Sequence, residues 1–263
     1  MTTFLKKQKL FFTVWILAML GVAATLPFLL STQADQLQGL ELPFPPAVLL
    51  LLAVMQNGLL LGVMTAVGLF LAKRVGLGLP FVEAWLNKTP PPEAWRRVTT
   101  SAIVMGIVAA LIVIGLETLY FVPQMAAAGL SFPESTQPPI WQSFLASFYG
   151  GITEEVMVRL FLMTLLVWLG GKVSHTGEGQ PTPAIFWLAI VIAAILFGLG
   201  HLPTTAALGV PLNNLIVTRA ILLNGIPGIV LGWLYWKRGL ESAMVAHFSA
   251  DIVLHVIVPL FLG

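Results

Sequence analysis

Seven long apolar stretches determine what this chain can fold into. Each is close to or above the length of about 20 residues that an α-helix needs to cross the hydrocarbon core of a bilayer. They cover residues 10–30, 47–72, 100–122, 140–169, 184–202, 212–236 and 240–262. None shows the alternating segments of about ten residues that build an outer-membrane barrel. The sequence therefore predicts an all-α fold, a polytopic transmembrane bundle of seven helices with room for an eighth.

Composition supports the same class. Hydrophobic residues make up 58% of the chain and charged residues 9%, against a charged share of about 25% in soluble domains. We expect a single integral membrane domain over residues 1–263, with amino-terminal helices in 1–139 and motif-bearing helices in 140–263. The absence of cysteine excludes disulfides, thiolate catalysis and cysteine-ligated metal. The net charge of +2 does not indicate a nucleic-acid partner, and none is expected.

Lysine and arginine residues predict the orientation of the bundle. The loops 31–46, 123–139 and 203–211 contain neither residue type. When the spans alternate, the basic residues fall on the opposite side: Lys6, Lys7, Lys9, Lys73, Arg74, Lys88, Arg96, Arg97, Lys172, Lys237 and Arg238. Because loops rich in lysine and arginine stay in the cytoplasm, we expect a multi-pass protein with a cytoplasmic amino terminus.

Charged and histidine side chains inside the apolar stretches are concentrated in the second half of the chain. Such groups are costly at bilayer depth and usually serve a function there. The candidate site residues are Glu154, Glu155, Arg159, His201, His247 and Asp251. Three different predicted helices contribute them, so a common site requires these helices to pack together.

Helical spacing assigns different parts to the two adjacent glutamates. Glu155 and Arg159 stand at i, i+4 with the acid first, which is the favourable order for an ion pair. A purely structural role and a catalytic role explain this ion pair equally well. Glu154 is rotated by about 100° from Glu155 on an α-helix. The two glutamates therefore cannot serve one partner equally, and we expect Glu154 to be the carboxylate that is free to act.

A polar stripe marks the last span. His247, Asp251 and His255 recur at intervals of four residues, so they share one helix face. A carboxylate one turn from His247 can orient its ring and fix its tautomer. His255 is expected to be structural, and His201 by itself fits an interhelical hydrogen bond as well as a functional role.

Three kinds of chemistry fit these residues. In the first, a carboxylate takes a proton from water and another group stabilises the oxyanion that forms at a scissile carbonyl. In the second, Glu154, His201 and His247 ligate zinc, which activates the water. In the third, glutamate, histidine and aspartate form the proton relay of a coupled transporter. The residue types alone do not choose between them.

The order and spacing of the motifs resemble a known family. Glu154-Glu155-x-x-x-Arg159, Phe197-x-x-x-His201 and His247-x-x-x-Asp251 follow one another in this order on the fourth, fifth and seventh predicted helices. They resemble the three signature motifs of the CPBP family, the intramembrane proteases that include type 2 CAAX prenyl proteases (Rce1-like), bacteriocin-processing enzymes and ABI proteins. The resemblance covers about 100 residues, from the first motif to the last.

The resemblance implies an intramembrane endopeptidase. By analogy, Glu154 activates the water, His201 positions it, and His247 with Asp251 stabilises the oxyanion. The family often has asparagine at the last of these positions. Because an ionised aspartate cannot donate to an oxyanion, Asp251 has to be protonated, ligate a metal or orient His247.

The resemblance assigns Glu155 and Arg159 to a supporting charged pair. It leaves two mechanisms open, a glutamic type and a metal-dependent type with a divalent ion such as zinc. In the second case the ligands are expected to be Glu154, His201 and His247, because carboxylate and imidazole groups are adequate zinc ligands.

Depth along the helices poses a geometric question. At about 1.5 Å per residue from the cytoplasmic ends, His247 lies roughly 13 Å deep and His201 roughly 27 Å deep. Straight, perpendicular helices would not bring them together. Tilt of the helices, a break near Gly198 and Gly200, or a fifth helix that starts below the membrane would close this gap.

The sequence as a whole favours an intramembrane peptidase of a prokaryotic plasma membrane. Its expected partners are the lipid bilayer and a peptide or protein substrate at the membrane. The leading alternative is a non-proteolytic CPBP-like protein that acts in bacteriocin immunity or as a scaffold. A proton-coupled transporter is the third.

Overall fold

A computed structural model describes residues 3–32, 44–90, 95–132 and 138–262 of the chain. The regular elements of these residues are helices. In chain order they are α1 (Thr3–Thr32), α2 (Pro46–Ala72), α3 (Pro80–Asn87), α4 (Trp95–Leu116), π1 (Glu117–Phe121), α5 (Val122–Ala127), α6 (Ile140–Phe148), π2 (Tyr149–Glu154), π3 (Val156–Met163), α7 (Thr164–Gly171), α8 (Pro183–Gly200), α9 (Leu202–Ala207), α10 (Asn214–Arg238), α11 (Leu240–Asp251), π4 (Ile252–Ile257) and α12 (Val258–Leu262).

Six segments of the described chain are long and apolar enough to cross a bilayer. They are Gln8–Thr32, Val48–Ala72, Trp95–Ala127, Pro183–Ala207, Asn214–Arg238 and Leu240–Phe261. The fourth predicted span is also helical, over 140–171, but its charged residues make it less apolar and it is not among the six. The multi-pass, all-helical class is confirmed, while the seventh span stays a prediction.

The helical segment 140–171, here called the site helix, lies in the middle of the bundle. Helix α1 packs against α6 and π2, α2 packs against π3, and α11 packs against π2. Helix α8 contacts π3 and runs along α10. One hydrophobic core contains Val14 and Leu61 from the first half of the chain together with Leu160, Ile190 and Leu234 from the second.

Glycines allow the closest helix contacts. A Cβ atom on Gly198 would lie 2.6 Å from the Cα atom of Ile221, where α8 crosses α10. A Cβ atom on Gly106 of α4 would collide with the carbonyl of Ala246 on α11. Small residues let transmembrane helices approach at backbone distance, because helix association in lipid depends on close packing.

The fifth predicted span is broken at His201. Helix α8 ends at Gly200, and the short helix α9 begins at Leu202. His201 itself has φ −86° and ψ −12°, so the chain turns without leaving right-handed helical space. A break of the kind suggested by Gly198 and Gly200 is therefore present.

Candidate active site

A buried ion pair lies at the base of the candidate site. Arg159 Nε lies 3.4 Å from Glu155 Oε2, and the side chains are 1% and 0% exposed. Arg159 Nη2 also donates to the carbonyl of Gly228 on α10 at 3.2 Å. Its guanidinium carbon lies 5.2 Å from the centre of the Phe197 ring on α8. The ion pair expected from the i, i+4 spacing is thus formed, and it connects the site helix to two others.

Glu155 also holds the ring of His247. The Nδ1 atom of His247 lies 2.9 Å from Glu155 Oε1. An ionised carboxylate can only accept a hydrogen bond, so Nδ1 is the donor. The carboxylate that orients this ring therefore comes from the site helix, whereas the spacing on the last span pointed to Asp251. A contact between residues 92 positions apart cannot be read from spacing within one helix.

The other imidazole nitrogen, Nε2 of His247, faces two more carboxylates. Glu154 Oε2 lies 3.7 Å away and Asp251 Oδ1 3.8 Å away. Both distances exceed hydrogen-bond length. The Glu154 side chain is 18% exposed, so it borders the open part of the cluster while Glu155 is sealed inside.

The two adjacent glutamates therefore reach opposite nitrogens of one ring. They do not serve this ring equally, because Glu155 binds Nδ1 at 2.9 Å whereas Glu154 lies 3.7 Å from Nε2. Two π-helical segments meet at this point, since π2 ends at Glu154 and π3 begins at Val156.

Gly150 shapes the space beside His247. A Cβ atom at this position would collide with Asp251 Oδ2 and would lie 3.3 Å from His247 Nε2. The absence of a side chain at Gly150 thus leaves space for the side chains of Asp251 and His247. Sequence reasoning missed Gly150, although the pair Gly150-Gly151 just before the two glutamates was a signal of close backbone approach.

His201 contacts the aromatic ring of Phe197. Its Nδ1 atom lies 2.8 Å from the carbonyl oxygen of Phe197. Because a carbonyl can only accept, Nδ1 carries the proton and Nε2 of the neutral ring is an acceptor. The Phe197 ring contacts His201 edge-on at 4.9 Å between centres and His247 at 5.9 Å. In the described part of the chain His201 forms no ion pair, and Phe197 connects it to the cluster.

The predicted metal ligands do not form a metal site. Within residues 3–32, 44–90, 95–132 and 138–262, no group of three or more histidine, aspartate or glutamate side chains is arranged to hold an ion. Glu154 and His247 are neighbours, while the side chain of the third expected ligand, His201, contacts Phe197. As they are placed here, these residues do not fit a zinc ion.

Two further polar contacts involve residues outside the group formed by Glu154, Glu155, Arg159 and His247. Arg219 of α10 forms a two-pronged pair with Glu117 of π1, with N to O distances from 2.6 to 3.1 Å. His255 Nε2 lies 4.0 Å from Asp251 Oδ1, and its side chain is 57% exposed. Neither contact reaches Glu154 or His247 directly.

Comparison with known proteins addresses the identity of this half of the chain. Residues 136–253 match the sequence profile described as type II CAAX prenyl endopeptidase Rce1-like. This segment, less than half of the chain, is similar to the Rce1-like family. It contains every candidate site residue and confirms the resemblance to CPBP and CAAX proteases. No curated protein and no solved structure matches the chain.

The match supports a CAAX-type intramembrane endopeptidase at the level of the family. A protease family in the membrane implies a protein substrate and the lipid bilayer as partners. The chain is accordingly a multi-pass membrane protein. Residues before 136 lie outside the match, but α1 and α2 pack on the site helix within the matched segment.

Proposed function

We propose that this chain is an intramembrane endopeptidase in which Glu154 activates a water that attacks a peptide bond. One observation carries the proposal: the buried Glu155–Arg159 pair holds His247 by Nδ1, so that Nε2 points towards Glu154 and Asp251. A ring with one nitrogen fixed and the other directed at an accessible carboxylate is suited to proton-assisted chemistry.

Glu154 is the general base in this proposal. It is the accessible glutamate of the cluster, and its oxygen faces His247 Nε2 at a distance too long for a hydrogen bond. A water at this place can donate one proton to Glu154. The second proton of that water can be accepted by Nε2 of His201, whose Nδ1 is occupied by the carbonyl of Phe197. Two acceptors then fix the lone pair of the water towards the substrate.

His247 supplies the charge that stabilises the oxyanion. Three carboxylates, from Glu154, Glu155 and Asp251, lie within 4 Å of its ring. The proposal uses the imidazolium form, in which both ring nitrogens carry protons. Nε2 then carries a proton and donates to the carbonyl oxygen as it becomes negative. A protonated Asp251 donates a second hydrogen bond to the same oxygen.

The proton balance closes within these residues. The water oxygen bonds to the carbonyl carbon, and its proton moves to Glu154. When the tetrahedral intermediate collapses, the carbon–nitrogen bond breaks and Glu154 returns this proton to the leaving amine. The new carboxylic acid keeps the second proton of the water, and transfer of this proton to the released amine gives a carboxylate and an ammonium group. Glu155 and Arg159 remain charged throughout and keep His247 in place.

The proposed substrate is a protein or peptide associated with the membrane. The reacting groups lie on segments that cross or enter the bilayer, so a soluble peptide would first have to partition into lipid. We place the enzyme in a prokaryotic plasma membrane with its amino terminus in the cytoplasm. The basic loops identified above support this orientation.

The test is cleavage by the purified protein in liposomes. The substrate is a fluorogenic peptide carried on a lipid anchor, and the reaction is run in water labelled with heavy oxygen. We expect one heavy oxygen in the new carboxylate, as direct attack by water requires. The exposed-loop variant Glu178→Gln should cleave like the wild type, and His201→Ala should be slower by about a hundredfold. Equal rates for the wild type and His201→Ala would overturn the role of His201.

A further inference from the structure

A cavity between α1 and α2 lies apart from the candidate active site. Its volume is about 560 Å³. Its walls are mostly apolar, with Phe11 on α1 and Ala66, Leu69 and Phe70 on α2. Phe70 is 60% exposed, so an aromatic face is presented at the border of this space. Both helices are long and apolar enough to cross the bilayer, so we expect lipid to reach the cavity between them.

Two basic residues border the same cavity. Lys73 and Arg74 follow the last residue of α2, and both are exposed. Arg74 lies with its guanidinium carbon 3.5 Å from the centre of the Phe70 ring and donates from Nη1 to the Phe70 carbonyl at 3.1 Å. These contacts fix the cation at the rim and use one of five N–H donors. Among the described residues, neither Lys73 nor Arg74 pairs with an acidic side chain.

The combination of an apolar trough and two cations at one end fits an amphiphile with a negative head. We infer that this cavity binds an anionic phospholipid, whose phosphate lies at Lys73 and Arg74 and whose acyl chain lies along Phe11 and Leu69. Basic pockets between transmembrane helices recognise anionic headgroups through charge-assisted hydrogen bonds. The acyl chain covers the apolar wall.

The favourable interaction of Lys73 and Arg74 with the dipole of α2 explains only part of this arrangement. Cations after the carboxyl end of α2 are favourable by themselves. That effect does not require an apolar cavity beside them. Gln8 on α1 also lines this end of the cavity, and its amide can donate to a phosphate or glycerol oxygen. The lipid site uses all three polar groups together with the apolar wall.

A lipid at this place would stabilise the helix pair next to the site helix. A Cβ atom on Gly68 of α2 would lie 2.6 Å from the carbonyl oxygen of Leu160 on π3, so the two segments touch at backbone level. A ligand that binds only the folded state raises its stability by mass action. The inference does not depend on the peptidase proposal, since no residue of the cavity belongs to the candidate active site.

The test compares two lipids that differ only in their head. Dioleoyl phosphatidylglycerol and dioleoyl phosphatidylcholine are titrated onto the purified full chain and counted by native mass spectrometry. We expect tighter binding of the phosphatidylglycerol by the wild type. In the variant Lys73→Gln/Arg74→Gln this lipid should bind about tenfold more weakly. The matched variant Lys88→Gln/Arg97→Gln removes the same charge elsewhere and should bind like the wild type.

A second variant separates lipid from free phosphate. Ala66→Trp keeps both cations and fills the apolar space, so it should also lose the phosphatidylglycerol while remaining monodisperse. Glycerol phosphate, which has the head but no acyl chain, should not compete at equal concentration. Equal binding of the two lipids by the wild type would overturn the inference without any variant. If glycerol phosphate competes, or if Ala66→Trp binds phosphatidylglycerol as tightly as the wild type does, the site recognises only the anionic group. Either result would overturn the lipid assignment.

Discussion

His247 connects the acidic side chains of the candidate site. Glu155 binds its Nδ1 atom, while Glu154 and Asp251 face Nε2. The identity of these residues could be predicted from motif spacing, but the contact between His247 and Glu155 could not. Spacing reports neighbours on one helix, whereas this hydrogen bond joins α11 to the site helix and depends on how the two pack.

Replacing Glu155 tests the support of this ring. In Glu155→Gln the buried Arg159 loses its ionic partner, and an unpaired buried charge costs about 3–5 kcal/mol. We expect a clear fall in the thermal unfolding temperature in detergent. Glu178→Gln in the exposed loop is the control and should unfold like the wild type. An unchanged unfolding temperature in Glu155→Gln would show that the pair does not stabilise the fold.

Replacing Gly150 tests the space beside the reacting groups. In Gly150→Ala the added methyl group meets Asp251 Oδ2 and approaches His247 Nε2. We expect kcat for peptide cleavage to fall by roughly ten- to a hundredfold, because small displacements of catalytic groups are costly. Gly177→Ala is the matched control, since its Cβ would meet nothing within 4 Å. Equal kcat values for the two variants would contradict the importance of this space.

At the scale of elements, hydropathy predicted most helices but not their internal form. The predicted stretch 140–169 corresponds to the described helical segment 140–171. Its π-helical turns leave no signal in hydropathy, since they change hydrogen bonding without changing which residues are apolar. The break at His201 was suggested by Gly198 and Gly200 and is present. The short helix α3 lies outside the predicted spans.

Helix α3 is held at its first turn by a residue far away in sequence. Glu241 Oε1 on α11 accepts from the backbone N–H groups of Phe81 at 2.9 Å and Val82 at 2.8 Å. In Glu241→Ala both donors lose their partner, which costs about 1 kcal/mol or more. We expect faster amide hydrogen exchange across Pro80–Asn87 than in the wild type. Glu178→Ala serves as the comparison, and unchanged exchange in Glu241→Ala would refute the capping role.

At the scale of the whole molecule, the sequence predicted the class but not the detailed contacts. Six described helices satisfy the length and apolarity of a membrane span, and the charged site helix is the exception. The pair formed by Arg219 and Glu117 joins α10 to π1 across 102 positions of sequence. Only the fold shows that these two residues form a pair.

The orientation in the membrane is testable because the chain contains no cysteine. A single cysteine introduced at Lys172→Cys should react with a membrane-impermeant maleimide only after the cells are opened. One introduced at Ala128→Cys should react in intact cells. Both positions are exposed in the structure, so access to reagent depends on the side of the membrane. The reverse labelling pattern would place the amino terminus outside.

The central claim is that Glu154 activates the attacking water. The most direct measurement is the single-turnover rate of cleavage of the lipid-anchored peptide by Glu154→Gln in liposomes. The amide keeps the size of the side chain but cannot take up the proton, so we expect a rate at least about a hundredfold below that of the wild type. The thermal unfolding temperature should stay close to that of Glu178→Gln. A stable Glu154→Gln protein that cleaves as fast as the wild type would contradict the account.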